Sequence, residues 1–449
     1  MTPQFESVRS CKLWNEFDEQ QSIQTDQLNN CTHVRVHSEI TVRILWVPHA
    51  PLGFGGTRAE HLMDKLAKRH EVYALSFNVH RRWKSLRYLS DLLQYRLRQN
   101  ARGYYEIPLE RMPRAEWLNT LFVNRSIMRE VRRRCCDVVV LSPNPYLIGY
   151  VNFARLRQEV PIVCDYLDGG SWGNQGDNFE RHYVESSDAV ICVSRLLSQQ
   201  ARAVNDFCFF IPNGVDLPRF RAYRRAHTVG ECKRALGIDP DTFVISIIGM
   251  TCSSRLYFVD AALALAQNGR KILLLLVGPS PLLPEILRRA QGAEPIVRIE
   301  GMIPHEEIMR YYMATDVGLY AVDDSPKPLY DYYHRASPIK IFEYSAMGKR
   351  VVVAPWLDEV ARYALPNVTF CEPDAESLAT HISLIADNGP CFVEANLSPY
   401  DWTVLAGQVE DVLAEVIAKR QTKHRTLSLS EVYKPTSRKI HDTFRPETD

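Results

Sequence analysis

The chain has 449 residues, 46% of them hydrophobic, enough for two or three domains with a core each. Its 54 Lys and Arg nearly balance 53 Asp and Glu, giving a formal net charge of +1, so no global basic field points to nucleic acid. The 11 cysteines are scattered without a C-x-x-C pair, no apolar run nears the roughly 18 residues of a spanning helix, and the N-terminus lacks a signal-peptide pattern. Zinc fingers, disulfide scaffolds and membrane spans are thereby set aside, and a cytoplasmic protein is expected.

Residues 1–40 are polar, rich in Gln and Asn and without sustained periodicity, which predicts an extension outside any core. The run 42–47, VRILWV, reads as a buried first strand. The loop PHAPLGFGGT follows, with His49 near its start and Gly53, Gly55 and Gly56 allowing close backbone approach. Thr57 and Glu60 form a capping box that opens a helix to Arg69, and 71–77 reads as the second strand. This is the start of a Rossmann-like unit, although the G-x-G-x-x-G spacing is absent.

Residues 81–102 place Trp83, Leu86, Leu89, Leu92, Leu93 and Leu97 at helical spacing between arginines, a basic amphipathic pattern. Residues 81–134 carry 14 Lys or Arg against 5 Asp or Glu, including Arg125, Arg129, Arg132, Arg133 and Arg134. Two readings stay open: an anionic membrane surface, or a solvated helix packed on its own domain.

Strands at 137–142 and 161–167, with a helix at 146–157 between them, continue a doubly wound sheet. Directly after the second of these comes Asp168-Gly169-Gly170. Ligands in open α/β sheets bind at the carboxyl ends of strands, so Asp168 is the candidate general base, with Asp165 next and a turn-shaping role as the alternative. His182 and His49 are further candidates. Strands at 188–194 and 207–211 close the first domain, the turn IPNGVD at 211–216 is the expected hinge, and a basic linker runs over 219–225. Strands at 242–250, 271–279, 296–301 and 316–322 and a helix at 305–313 build a second alternating domain, followed by a long loop from Asp323. Asp323 and Asp324 do not form a D-x-D pattern, so neither a required metal nor another cofactor is expected.

The richest stretch is 337–353, SPIKIFEYSAMGKRVVV. Ser337 can cap a helix and Pro338 suits its first position. Lys340 and Glu343 stand three residues apart on one face, Gly348 ends the helix, and Val351, Val352 and Val353 read as a strand covered on both sides. A lysine at a helix N-terminus suits a diphosphate, and a carboxylate one turn on can accept both hydroxyls of a ribose. The alternative is an ordinary surface ion pair.

This stretch resembles the donor signature S-P-x-K-x-x-E-Y-x-A-x-G-K of GT-B glycosyltransferases. Residues 211–216 resemble the turn that closes their N-terminal domain, and 301–319, GMIPHEEIMRYYMATDVGL, resemble their G-x-[IV]-P-H-x-x-[IL] segment. The resemblance runs from about 42 to 418. It implies an α/β GT-B fold, two Rossmann-like doubly wound domains facing a cleft: an acceptor domain at 41–220, a nucleotide-sugar domain at 221–400, a crossing helix at 401–420 and a disordered tail at 421–449. It also implies donor contacts by Lys340, Glu343, Gly249, Met250 and Tyr320, with Asp331 and His334 in the loop beside the sugar; Arg255, a few residues after Gly249, can reach a donor phosphate or be solvated. The cleft would be lined by Gly55, Gly56 and His49.

The implied activity is transfer from a nucleotide sugar to a saccharide or lipid-linked acceptor, with a sugar-nucleotide epimerase or a non-catalytic nucleotide-sugar-binding protein as alternatives. One position departs from the pattern. Retaining relatives often carry a glutamate eight residues before the Glu343 equivalent, where this chain has Arg335, which favours inversion with Asp168 as base.

Overall fold

The computed structural model describes residues 41–50, 52–53, 56–77, 98–100, 102–109, 116–144, 151–167, 177–249, 255–292, 296–322, 336–389 and 392–432. By contacts the chain divides into Met1–Thr41 and Val42–Asp449, and everything below concerns the second unit. The expected extension at 1–40 lies outside the described residues, as do 81–97 and 433–449.

The first sheet has eight strands: β1 (Arg43–Val47), β2 (Glu71–Phe77), β3 (Arg98–Gln99), β4 (Tyr105–Leu109), β5 (Val138–Leu141), β6 (Ile162–Tyr166), β7 (Ala189–Cys192) and β8 (Cys208–Phe210). Their order is β3-β4-β2-β1-β5-β6-β7-β8, parallel except for the β3–β4 pair. The helices α1 (Arg58–Leu66), α2 (Glu116–Arg134), α3 (Phe153–Glu159), α4 (Asp177–Ser186) and α5 (Arg195–Arg202) connect them. After β8 come α6 (Leu217–Ala226) and α7 (Val229–Ala235).

The second sheet has order β11-β10-β9-β12-β13-β14 and is wholly parallel. Its strands are β9 (Phe243–Ile248), β10 (Ile272–Val277), β11 (Val297–Glu300), β12 (Val317–Tyr320), β13 (Arg350–Val353) and β14 (Val368–Phe370). It carries α8 (Tyr257–Gln267), α9 (Leu283–Arg289), α10 (Ile308–Ala314), α11 (Ile339–Ala346), α12 (Asp358–Ala361) and α13 (Ala375–Asp387), and α14 (Trp402–Val432) ends the described chain.

Both sheets are covered on two faces, which is why their strands are continuous apolar runs. Along β1, Leu45 and Val47 enter one core while Ile44 and Trp46 enter the other; along β10, Leu273 and Leu275 separate from Leu274 and Leu276 in the same way. Trp402, Leu405, Val409, Val412, Leu413 and Val416 of α14 share a core with Ile44, Trp46, Leu62 and Leu66, so the last helix packs back on the first domain, as expected.

Several sequence expectations are corrected. Residues 98–99 belong to a strand, so the amphipathic helix cannot extend to 102: Asn100 Nδ2 donates to Glu106 Oε1, Asn100 N donates to Tyr104 O, and Gly103 at φ +96° turns the chain into β4. The linker at 219–225 is helical, with Leu217 and Phe220 of α6 buried in the second domain's core. Helix α3 starts at Phe153 because the Asn152 side chain accepts from Arg155 N and caps it. Helix α14 continues to Val432 instead of ending at 420.

Asp165, the second candidate base, is fully buried on β6. Its carboxylate accepts from Arg58 Nε at 3.0 Å, and Arg58 is 2% exposed. Arg58 Nη1 also donates to Pro212 O at 2.7 Å and to Asn213 Oδ1, which ties α1 to the turn at 211–216. Asp165 is therefore a structural anion and not a base. Removing one partner of a buried pair strands the other charge, so Asp165→Ala should lower unfolding free energy by about 3–5 kcal/mol, read from the urea midpoint. A shift below about 1 kcal/mol would contradict this assignment.

Candidate active site

In both sheets the strand order reverses next to the first strand of the domain, at β1 and at β9. The carboxyl ends of these strands are where open α/β sheets bind ligands. The loops at those ends bring the domains together. Gly56, after β1, lies against His305, after β11: a Cβ built on Gly56 would stand 2.7 Å from His305 Cδ2, and its φ of +91° suits glycine alone. Asn213, after β8, donates its backbone N–H to Ser337 Oγ at 3.0 Å and its amide to Ser337 O.

Ser337 does not cap the helix as expected. Pro338 occupies the cap position without a side-chain bond, and the Ser337 hydroxyl instead serves the turn at 211–216, accepting from Asn213 N and Tyr363 Oη. The first-turn N–H groups of α11 are thus left for another acceptor. A third tie across the seam is Glu359 of α12. It is fully buried and accepts from the backbone N–H of Arg195, the first residue of α5, at 3.0 Å and from the Arg195 guanidinium at 3.2 Å. Burial raises its pKa against the pull of Arg195.

The Lys340–Glu343 pair is no surface pair. Glu343 is 2% exposed, and its Oε2 accepts from Lys340 Nζ at 3.1 Å and from Tyr312 Oη at 2.5 Å. His305 Nε2 stands 3.6 Å from Oε1, an ion-pair distance longer than a hydrogen bond. Burial alone would raise the Glu343 pKa. The charge of Lys340, the neighbouring His305 and the hydrogen bond from Tyr312 outweigh it and hold the carboxyl well below its ordinary value.

Behind His305 stands His61 of α1, edge to face at 5.5 Å and stacked on Trp402 at 4.9 Å. Burial, then the neighbouring His305, pushes the His61 imidazole down to about 3, so it is neutral. Beside Lys340, Gly249 ends β9 at φ +122°, with its Cβ direction 3.4 Å from Lys340 Cε. Gly278 ends β10 with the same φ, where a Cβ would collide with Gly249 O. Two glycine-ended strands and a lysine at a helix start leave backbone and charge available to a diphosphate.

Of the expected site residues, the structure brings together Lys340, Glu343, Gly249 and Gly56. Tyr320 ends β12, half-buried, and Arg255 is exposed, its Nη1 3.4 Å from Tyr257 Oη. His49 accepts at its carbonyl from Asn144 Nδ2, and its Nδ1 is buried without a partner. His182 packs edge-on to Phe153 and approaches Ser186 Oγ, a structural placement. Asp168, Gly55, Met250, Asp331 and His334 lie outside the described residues. Sequence reasoning missed Tyr312, His305, Arg219 and Gly278. The motif at 301–319 contained the first two, but vicinal tyrosines on a helix read as core.

Two such domains, joined by a short turn with the glycine-ended strands of one facing the glycine loop of the other, define the GT-B architecture. The sequence agrees half by half: residues 55–219 match the model of Glycosyltransferase Family 4, and residues 244–388 match that of Glycosyl transferases group 1, together about two thirds of the chain. The chain belongs to these GT-B glycosyltransferases, and it is a nucleotide-sugar-dependent glycosyltransferase.

No curated protein matches it by sequence. Among solved structures, sucrose-phosphate synthase from Thermosynechococcus elongatus is similar at 15% identity, covering 87% of this chain and 100% of that one with a TM-score of 0.56. The α,α-trehalose 6-phosphate synthase from Burkholderia multivorans is similar at 12% identity, with coverage of 85% and 100% and a TM-score of 0.61. Anabaena HepE in complex with UDP-glucose is similar at 16% identity, with coverage of 86% and 99% and a TM-score of 0.52.

Because folding lowers the Glu343 pKa, its stabilisation is fully present above the unfolded value of about 4.3 and is lost as pH falls towards the folded value. Glu343→Gln should therefore flatten the fall in urea-unfolding free energy on acidification below about pH 5. Superimposable wild-type and variant profiles would contradict the assigned charge network.

Proposed function

We propose that Lys340 and the N-terminus of α11 bind the diphosphate of the donor, that Glu343 accepts the ribose hydroxyls, and that Asp168 is the base that activates the acceptor. The observation that carries this reading is Glu343: a carboxylate almost out of water, kept ionised by Lys340 and Tyr312, beside two glycine-ended strands. A carboxylate has room for four hydrogen bonds, so two donors on Oε2 leave acceptor capacity for a diol. With Glu343 2% exposed, admitting the donor requires the domains to part along the seam of Asn213–Ser337 and Gly56–His305, turning about 211–216. The structure of Anabaena HepE holds UDP-glucose, which makes UDP-sugars the first donors to examine.

The reaction is a displacement at the anomeric carbon. The acceptor oxygen forms the new glycosidic bond as the bond to the diphosphate oxygen breaks, the acceptor proton passes to the Asp168 carboxylate, and Lys340 with the helix dipole stabilises the departing diphosphate. Asp168 follows β6 in sequence, and β6 runs parallel to β1 in the sheet whose carboxyl end carries the Gly56 loop. Inversion fits Arg335 in place of the second glutamate.

A panel of nucleotide sugars, scored by thermal stabilisation and by slow release of nucleoside diphosphate, tests this reading, since a ligand of the native state must raise apparent stability. One donor should stand out. Lys340→Ala should weaken it at least about tenfold, as expected for a lost charged hydrogen bond, whereas Asp168→Asn should abolish release and leave binding intact. If no nucleotide sugar stabilises the protein, or Lys340→Ala binds unchanged, the donor assignment is wrong.

We propose further that the acceptor, a saccharide or lipid-linked molecule, is presented at an anionic membrane surface. Helix α2 supports this: Leu121 and Phe122 are 59% and 40% exposed at its start, and Arg125, Arg129, Arg132 and Arg133 continue the same exposed face. Arginines attract anionic headgroups while apolar side chains enter the interface. Among the described residues no helix is long and apolar enough to cross a membrane. Sedimentation with vesicles containing phosphatidylglycerol should capture the wild type and lose it in Arg125→Glu/Arg129→Glu. Equal capture by neutral phosphatidylcholine vesicles would refute the electrostatic attachment.

A further inference from the structure

Arg219 and His305 stand beside the donor carboxylate without belonging to the signature that identified it. Arg219 Nη1 lies 3.3 Å from His305 Nδ1. A guanidinium can only donate, so Nδ1 is the acceptor and the imidazole proton resides on Nε2. That N–H is held inside the protein, with the His305 side chain 6% exposed, and it has no hydrogen-bond partner. The nearest carboxylate oxygen is Glu343 Oε1 at 3.6 Å. Oε2 of the same carboxylate already has Tyr312 and Lys340, whereas Oε1 has, among the described residues, only this approach.

The three residues also travel together. Helix α6, which carries Arg219, buries Leu217 and Phe220 in the core that holds Ile308, Tyr312, Phe342 and Tyr344, so Arg219, His305 and Glu343 all belong to the second domain. His61, edge to face with the His305 ring, and Gly56, against its Cδ2 and Nε2 atoms, belong to the first. When the domains part, His61 and Gly56 withdraw and the Arg219–His305–Glu343 line stays whole. Relieved of the Gly56 backbone, the ring can close the short gap to Oε1.

We infer that His305 is a positioning residue for the donor: with its tautomer fixed by Arg219, it donates through Nε2 to Glu343 Oε1 and sets the plane of the carboxylate towards the ribose hydroxyls. A buried donor left unsatisfied is costly, and a carboxylate anchored at one oxygen alone can still turn about its last bond. Anchoring both oxygens removes that freedom before the diol arrives, in the manner of a preorganised site. The inference rests on Glu343 being the ribose acceptor.

The test uses the full-length protein and calorimetric titration with UDP, ADP and GDP, each compared with its 2′,3′-dideoxy analogue. For the nucleotide that binds, His305→Met should weaken the ribonucleoside diphosphate about tenfold and leave the dideoxy analogue within about twofold, because only the diol depends on the carboxylate plane. His305→Gln, which keeps an amide N–H near the Nε2 position, should restore most of the loss. Arg219→Met should show a smaller loss of the same kind. A His305→Met variant that binds the ribonucleotide more tightly would make the ring a cover over Glu343 and overturn the inference. Equal losses for both nucleotides would overturn it too, by showing a general structural role. Glu343→Gln is the control: if it weakens the ribonucleotide and its dideoxy analogue equally, or neither, the ribose reading fails and this inference fails with it. If its loss is confined to the ribonucleotide and that of His305→Met is not, only the role of His305 is lost.

Discussion

A carboxylate taken almost wholly out of water costs several kcal/mol unless donors meet it, and that constraint organises the second domain. Glu343 is such a group. To keep it ionised the fold draws in Lys340 from its own helix, Tyr312 from α10 and His305 from the loop before it, so two segments separated in sequence are fixed relative to one another. Beside this cluster β9 and β10 are followed by glycines at φ +122°, Gly249 next to Lys340 and Gly278 against the Gly249 carbonyl, where a Cβ would collide. What the protein stabilises here is negative charge flanked by positive charge and free backbone, which is what a nucleoside diphosphate needs.

The second constraint is the join between domains. Arg58 sits in the first domain with Asp165 as counter-ion and reaches the carbonyl of Pro212 and the side chain of Asn213; Asn213 then bonds Ser337 just ahead of α11. A continuous line of polar contacts thus runs from the first sheet through the hinge turn to the helix that carries Lys340. Glu359 makes a separate tie to the start of α5. The seam thus carries buried hydrogen bonds and the close approach of Gly56 to His305.

Much of this was legible in the sequence, for physical reasons that differ by region. Buried parallel strands announce themselves as unbroken apolar runs, so β1, β9, β10 and β13 were placed nearly to the residue, and Thr57 with Glu60 forms the expected capping box. Lys340 and Glu343 were legible because a charged pair inside an apolar helix is conspicuous. Ser337 was misread because a serine before a helix normally caps it, and nothing local reveals that Asn213, 124 residues away, claims its hydroxyl. Asp165 was open to misreading for the same reason: its partner Arg58 is 107 residues distant. The basic run after the hinge read as a linker because its charge masks the two buried residues, Leu217 and Phe220, that make it a helix packed on the second domain.

The most direct measurement of the central claim is a crystal structure of the protein with UDP, the nucleotide seen in complex with the Anabaena relative in fold. The account requires the diphosphate within hydrogen-bond distance of Lys340 Nζ and the first N–H groups of α11, with both ribose hydroxyls on Glu343. Nucleotide bound elsewhere in the cleft, with Lys340 and Glu343 still paired only to each other and to Tyr312, would contradict it.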